Sequence, residues 1–329
     1  MTHWILQVIY SQYFVTLPFP TKSWAGKTVI VTGASGGLGF EAARHFARLG
    51  AAKVIIAARS SSKSEAAKHD IEASTQCGAD VVECWPLDLC SYDSVKAFAQ
   101  RCHGLPRLDA MVENAGVSLT KFGTAEGDET TVTVNVISTF LLALLALPKM
   151  KETARQFNTR PTLSIVTSEV HQATRFPELA SLAPGESIFD SLADESKARM
   201  SARYAVTKLL EVLAAREMVA SKASRPDYPV TINLLNPGLC HSELAREMPV
   251  VSRIFNFVLW ARPTEVGSRT LVSAAGMGRE SHGQYLSDCD IAPVGVLVRS
   301  PAGKEMQVKV WKDLSQRLEG ISPGILQNL

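Results

Sequence analysis

The chain lacks the marks of several large protein classes. It has no CxxC motif and no His/Cys cluster at zinc spacing, which argues against a zinc-stabilised fold. Its six cysteines, Cys77, Cys84, Cys90, Cys102, Cys240 and Cys289, read as reduced thiols of an intracellular, cytoplasmic protein rather than a disulfide framework. Charge of one sign is missing too. The net charge is +2 with Lys and Arg scattered, so no basic stripe points to nucleic acid. There is no internal repeat and no low-complexity linker. The apolar, aromatic run from Trp4 to Pro20 has neither a basic leading region nor a small-residue cleavage site, so it does not read as a signal peptide. Gln7, Ser11, Gln12 and Thr16 interrupt it, and it is short for a membrane span. Residues 1–26 are expected to pack on the domain that follows; contact with a membrane surface is the less favoured alternative.

What is present is an alternation. With 329 residues, 46% of them hydrophobic, the chain can bury one large core or two small ones. From Lys27 short apolar runs alternate with segments of helical spacing. The runs are KTVIVTG, AKVIIAAR, DVVECWPLDL, RLDAMVENAG, PTLSIVTS and PVTINLLNPG, with HGQYLS as a candidate seventh. The helical segments include GFEAARHFARLG, which stops at Gly50, and the long apolar ETTVTVNVISTFLLALLALPKM. This order predicts parallel βαβ units in an α/β, doubly wound parallel sheet, a Rossmann fold, as one domain over residues 27–329. Two stretches, 172–200 and 240–262, break the rhythm after strands that end in candidate site residues. They are expected to be insertions covering a substrate, because ligands of such sheets bind at the strands' carboxyl ends.

The first strand and helix flank Gly33, Gly36, Gly37 and Gly39. Gly33 would permit the tight turn. Gly37 would let a pyrophosphate approach the backbone, and Gly39 would let helix and strand pack closely. The lysine and Ser/Thr of a triphosphate-binding loop are absent. The second strand ends in Arg59, with Lys63 beyond it and no acid before Glu65. A carboxylate there would favour a ribose diol, whereas an arginine forks onto a 2′-phosphate, so the expected cofactor is NADP(H). Lys63 reads equally as a phosphate contact or a solvated helix residue. Asp88 reads as an acceptor for the adenine amino group or as a helix N-cap, a role Ser91 also fits.

Five fragments then fall in order: the TGxxxGxG turn, ENAG at Glu113–Gly116, VNVIS around Asn135, IVTSEVH with Ser168, and YAVTK with Tyr204 and Lys208. Together they resemble the short-chain dehydrogenase/reductase family over most of the chain, roughly Lys27 to Ser287. LDLCSYDSVKAF, SEVH and NPGLCHSEL resemble its retinol-dehydrogenase-like branch, and ARPTEVGSRTLV resembles fungal members, many of which act on secondary metabolites. The resemblance implies that Ser168 bonds the substrate oxygen and that Tyr204 is the acid/base. It implies that Lys208 holds the nicotinamide ribose and acidifies the phenol, and that Asn135 anchors a water leading to Lys208. Ser35, Leu38, Leu89, Asn114, Ala115, Gly116, Pro237, Gly238, Leu239 and Ser242 would line the cofactor.

The chemistry agrees with that assignment. A free tyrosine has a pKa of about 10, poorly matched to proton transfer near neutrality. An ammonium about 5 Å away at an effective dielectric near 20 would lower it by about two units. Glu113 departs from the usual asparagine at its position. His171 is read as structural and Cys240 as a packed thiol. The expected substrate is a small hydrophobic carbonyl or alcohol. MPVVSRIFNFVLW could form an apolar lid or merely cap the core. The apolar helices near Leu141 and Leu210 could pair in a homodimer or face the chain's own interior.

Overall fold

The computed structural model describes residues 2–176, 179, 182–183, 185–241, 244 and 261–329, with the side chains of residues 2–5 excepted. The MPVVSRIFNFVLW segment and Ser242 lie outside them, as do residues 177, 178, 180, 181 and 184 of the first insertion. Among the described residues one sheet of eight strands runs in the order β10-β9-β8-β7-β4-β1-β2-β3. The strands are β1 Thr28–Thr32, β2 Lys53–Ala58, β3 Val82–Pro86, β4 Ala110–Glu113, β7 Thr162–Val166, β8 Thr231–Asn236, β9 Tyr285–Ser287 and β10 Asp290–Ala292. β5 Thr124–Ala125 and β6 Asp128–Glu129 form a separate hairpin. All pairings in the large sheet are parallel except β9 with β10. HGQYLS does form a strand, β9, beside β8.

The helices are α1 Thr2–Phe14, α2 Gly37–Arg48, α3 Ser61–Thr75, α4 Tyr92–His103, α5 Thr139–Phe157, α6 Met200–Met218, α7 Thr264–Gly276 and α8 Pro301–Ile321, beside several shorter turns. Both faces of the sheet are covered, so strand residues are buried whichever way they point. Within β1, Ile30 joins one core with α4, α5, α6 and α8, while Val29 and Val31 join the other with α2, α3 and α7. Each fully buried Val, Leu or Ile contributes about 1.5–3 kcal/mol by leaving water. The doubly wound α/β fold is therefore as the alternation predicts.

Local chemistry fixes the helix starts. Ser60, Ser91 and Ser300 each accept a backbone N–H at the head of α3, α4 and α8, and Pro301 opens α8. Gly50, at φ +85°, takes the left-handed turn after α2. The long apolar segment is helical throughout Thr130–Phe157, but Thr133–Ser138 is a π-turn. That helix is long and apolar enough to cross a membrane, yet it is largely buried against the sheet. α8, which covers the same face, follows the alternating pattern and is announced by no motif.

The amino-terminal segment lies on the domain through Leu17 and Trp24, both buried, with Trp24 edge-on to Phe46. Leu6, Tyr10, Tyr13, Phe14 and Phe19 stay exposed. Of the first insertion, Ile188–Ala193 docks on α8: the Ile188 N–H donates to Asp313 at 2.9 Å, and Arg317 meets Asp190 at 2.6 Å.

Candidate active site

The strand order reverses between β1 and β4, and their carboxyl ends open the crevice in which such sheets bind ligands. Gly33 follows β1 at φ +66°, and a Cβ there would lie 2.9 Å from the Ala115 Cα. A Cβ at Gly39 would lie 2.6 Å from the Asn114 Nδ2 and 2.8 Å from the Gly33 carbonyl oxygen. These glycines are the points where two strand ends and a helix touch. Gly36 and Gly37 differ: a Cβ at either would meet nothing within 4 Å. Gly36 caps α2 without a side chain, so no cap side chain takes up the helix's first N–H groups. Thr32 locks the crevice, its hydroxyl accepting the Asn114 and Ala115 N–H groups, each at 3.0 Å. The Asn114 amide donates back to the Thr32 carbonyl at 2.9 Å.

An open, glycine-floored helix terminus suits a pyrophosphate, so the residues present fit a dinucleotide. Arg59 follows β2 directly and Lys63 lies in the first turn of α3; both are exposed. Among the described residues neither side chain forms a hydrogen bond or an ion pair. Asp88 does not cap α4, since Ser91 accepts the Ser94 N–H. The Asp88 carboxylate instead takes the Cys90 N–H at 3.0 Å, and the Asp88 N–H donates to Ser94 at 2.9 Å. Leu89 is buried, and its carbonyl accepts the Ser138 hydroxyl at 2.7 Å. Ser35 and Leu38 lie in the glycine turn and the first turn of α2, both partly exposed.

Tyr204 and Lys208 project from the first turns of α6, and Ser168 follows β7. The three converge: the Ser168 hydroxyl bonds the Tyr204 phenol, and the Lys208 Nζ lies 5.7 Å from the phenol ring centroid. Asn135 sits in the π-turn. Its Oδ1 accepts the Val117 N–H at 2.8 Å, while its Nδ2 donates to the Val117 carbonyl at 2.9 Å and to Thr207 at 3.1 Å. Gly116 lies between: a Cβ there would be 3.2 Å from Asn135 and 3.8 Å from the Lys208 Nζ.

The electrostatics differ from the expectation of an acidified phenol. Burial raises the Tyr204 pKa above its ordinary value, with Lys208 opposing, Glu211 adding to the rise and Ser168 opposing. The physical reason is burial first, with a second buried charge adding to it. Glu211, one turn past Lys208, accepts from its Nζ at 2.8 Å, while the Val166 carbonyl accepts at 2.9 Å. Burial works against the Lys208 ammonium, but Glu211 and Tyr204 outweigh it and its pKa is raised. Burial pushes Glu211 up to about 7 despite Lys208. Glu113, at the end of β4, is 4% exposed, and neither of its oxygens has a hydrogen-bond partner among the described residues. Burial, and then the nearby Glu211, raise its pKa well above the carboxylate range. Glu211 was not anticipated, although a lone acid in the apolar run LLEVLAA, three residues after Lys208, was a readable signal.

The β8 end carries Pro237, Gly238 and Leu239. Asn236 accepts the N–H groups of Gly238 at 3.0 Å and Glu169 at 3.2 Å. Gly238 is at φ +77°, with Arg262 and Gln12 side-chain nitrogens each 2.8 Å from where a Cβ would sit. Arg262 is buried; it pairs with Asp288 at 2.9 Å and donates to the Ser11 hydroxyl of α1 at 3.0 Å. Its backbone closes a neck, its N–H donating to the Leu239 carbonyl at 2.8 Å and its carbonyl accepting the His241 N–H at 3.0 Å. His171 is structural: it accepts the Gly295 N–H at Nε2, 3.0 Å, which leaves Nδ1 to donate to the Ser168 carbonyl at 2.7 Å. Burial pushes the Cys240 thiol up to about 12, as suits a packed rather than a reactive cysteine.

Comparison with known proteins agrees with this geometry. The family profile described as short chain dehydrogenase matches residues 27–158. The short chain dehydrogenase/reductase dmxR8 of Cryptosporiopsis sp. (strain 8999) is 49% identical over 323 residues, covering 97% of this chain and 99% of that protein. The short chain dehydrogenase atnD of Emericella nidulans is 44% identical over 290 residues, covering 86% and 90%. Among solved structures, a 3-oxoacyl (acyl-carrier-protein) reductase from Agrobacterium tumefaciens with NADP bound superposes with a TM-score of 0.59 at 20% identity, covering 80% of this chain and 93% of that one. A protein from Mycobacterium paratuberculosis gives 0.63 at 24% identity, covering 92% and 96%. With relatives this close over nearly its whole length and the Ser168, Tyr204 and Lys208 side chains gathered at the mouth of a doubly wound sheet, the chain belongs to the short-chain dehydrogenase/reductase family.

Proposed function

We infer that this oxidoreductase uses NADP(H) and interconverts a ketone and a secondary alcohol on a hydrophobic small molecule, in fungal secondary metabolism, with Tyr204 as acid/base. The observation that carries this reading is the convergence of Ser168 and Tyr204 at one end of a crevice whose other end is the open turn at Gly36 and Gly37. Arg59 and Lys63, exposed beside that crevice, suit a 2′-phosphate. The NADP bound to the structurally similar acyl-carrier-protein reductase supports the same choice. Bound NADP(H) would supply or accept the hydride at the carbinol carbon.

The chain's own part is at the oxygen. Two hydroxyl donors, Ser168 and Tyr204, would hold the substrate oxygen, where negative charge develops as a carbonyl is reduced. Tyr204 would then give it a proton, or take one in the reverse direction. Lys208, held by the Val166 carbonyl and Glu211, keeps a cation behind the phenol.

The test is absorbance at 340 nm with NADPH, and separately NADH, across ketones and aldehydes of increasing hydrophobicity. NADPH consumption on part of the panel is expected, with Tyr204→Phe reducing turnover about a hundredfold or more while cofactor affinity stays unchanged. Full turnover in that variant would remove Tyr204 from the role. NADPH binding without turnover on any compound would favour a silent dinucleotide-binding regulator.

A further inference from the structure

Behind the reacting tyrosine lies a charge arrangement that the acid/base assignment does not require. The Lys208 Nζ is hydrogen-bonded to the Glu211 carboxylate at 2.8 Å, and both side chains are almost wholly buried. A cation so closely paired presents the Tyr204 phenol with a nearly neutral couple rather than a full positive charge. We propose that Glu211, by opposing the Lys208 ammonium, keeps Tyr204 protonated and so fits this site to carbonyl reduction rather than alcohol oxidation. The proposal rests on the reading of Tyr204 as the acid/base and adds its direction.

The other groups facing this cluster bear on whether Glu211 can hold its charge. On α6 they are Tyr204 and Lys208; on β4, Glu113; at the end of β7, the hydroxyls of Thr167 and Ser168; in the π-turn, the neutral amide of Asn135. Two buried carboxyls near one cation cannot both ionise cheaply. Glu211 has the ammonium at hydrogen-bond distance, whereas neither Glu113 oxygen has a hydrogen-bond partner among the described residues. The proton therefore belongs on Glu113, and the directions of the two shifts agree, Glu113 lying well above its ordinary range and Glu211 at about 7. Above neutrality Glu211 is ionised, so the Tyr204–Lys208 pair loses its first proton at higher pH than it would without that neighbour. A positioning residue thus determines which form of the phenol meets the substrate.

Two measurements on the intact chain test this. The first needs no turnover: phenolate absorbance at 295 nm is titrated in the wild type and in Glu211→Gln, with the matching Tyr204→Phe protein subtracted from each. The Tyr204 midpoint should fall by on the order of one pH unit in Glu211→Gln. It should stay with the wild type in Glu211→Asp, which keeps the charge, and in Glu113→Gln, which replaces an already neutral group. The second is the pH profile of kcat/KM for reduction, whose alkaline fall should move down with the phenol in Glu211→Gln. Alcohol oxidation near pH 8 should then improve about tenfold for each unit of that shift. An unmoved or raised midpoint overturns the proposal, as does activity lost equally at every pH. A midpoint that falls as far in Glu113→Gln overturns the placement of the proton. Full turnover in Tyr204→Phe would instead remove the parent reading, while the absorbance titration would still report on Glu211.

Discussion

At the scale of single residues, positions that carry chemistry and positions that carry shape read differently. Gly33 is required by shape, with its left-handed backbone and the Ala115 Cα 2.9 Å from any Cβ. Gly33→Ala should therefore cost about 1–3 kcal/mol of stability, read as a lower urea midpoint at unchanged slope. A midpoint equal to the wild type would mean that the turn relaxes freely. That glycine is legible from its place between a strand and a helix, and Tyr204 and Lys208 from the ordered set of fragments that resembles the family, because a βα turn and one helical turn fix local geometry. Glu211 and Thr32 are less so. Their partners, Lys208 excepted, are remote in sequence and are brought near only by the sheet: Thr32 meets Asn114 and Ala115 across two parallel strands. The expected acidity of Tyr204 fails for the same reason. One neighbour was visible in YAVTK, while burial and the effect of Glu211 depend on the assembled core.

At the scale of elements, the alternation of strand and helix is legible because two-sided burial writes continuous apolar runs into β1, β2, β4, β7 and β8. The π-turn at Thr133–Ser138 is not, since its composition matches the apolar helix that continues it. β10 is three residues long and two of them are exposed, so it carries no periodic signal. The β2–α3 junction is where the element scale meets specificity. Arg59 extends from the strand end and Ser60 begins α3 by accepting the Lys63 N–H. Arg59→Ala should raise the KM for NADPH about tenfold to hundredfold, the worth of one charge-assisted hydrogen bond, and leave that for NADH almost unchanged. Equal losses for both cofactors would show that the arginine does not meet the 2′-phosphate.

At the scale of the whole molecule, the buried acids tie stability to pH. The sign follows from Glu113, whose folded pKa is raised. Between the ordinary glutamate value and that raised value, the folded state keeps a proton that the unfolded chain has lost. Stability from this group is thus fully present at acid pH and drains away as pH rises. Glu113→Gln should gain on the wild type in thermal melts as pH rises from 4 to 8, and the gap should close toward the acid end. A gap independent of pH would mean that Glu113 does not carry that proton. A second consequence concerns the neck where Arg262 exchanges backbone hydrogen bonds with Leu239 and His241. Its two lips are fastened to each other, and the Arg262 guanidinium fastens them in turn to Asp288 and Ser11. One arginine thus rivets together three parts of the chain that lie far apart in sequence: the amino-terminal helix, the end of β8 and the residue that follows β9. Losing that single side chain would loosen all three at once.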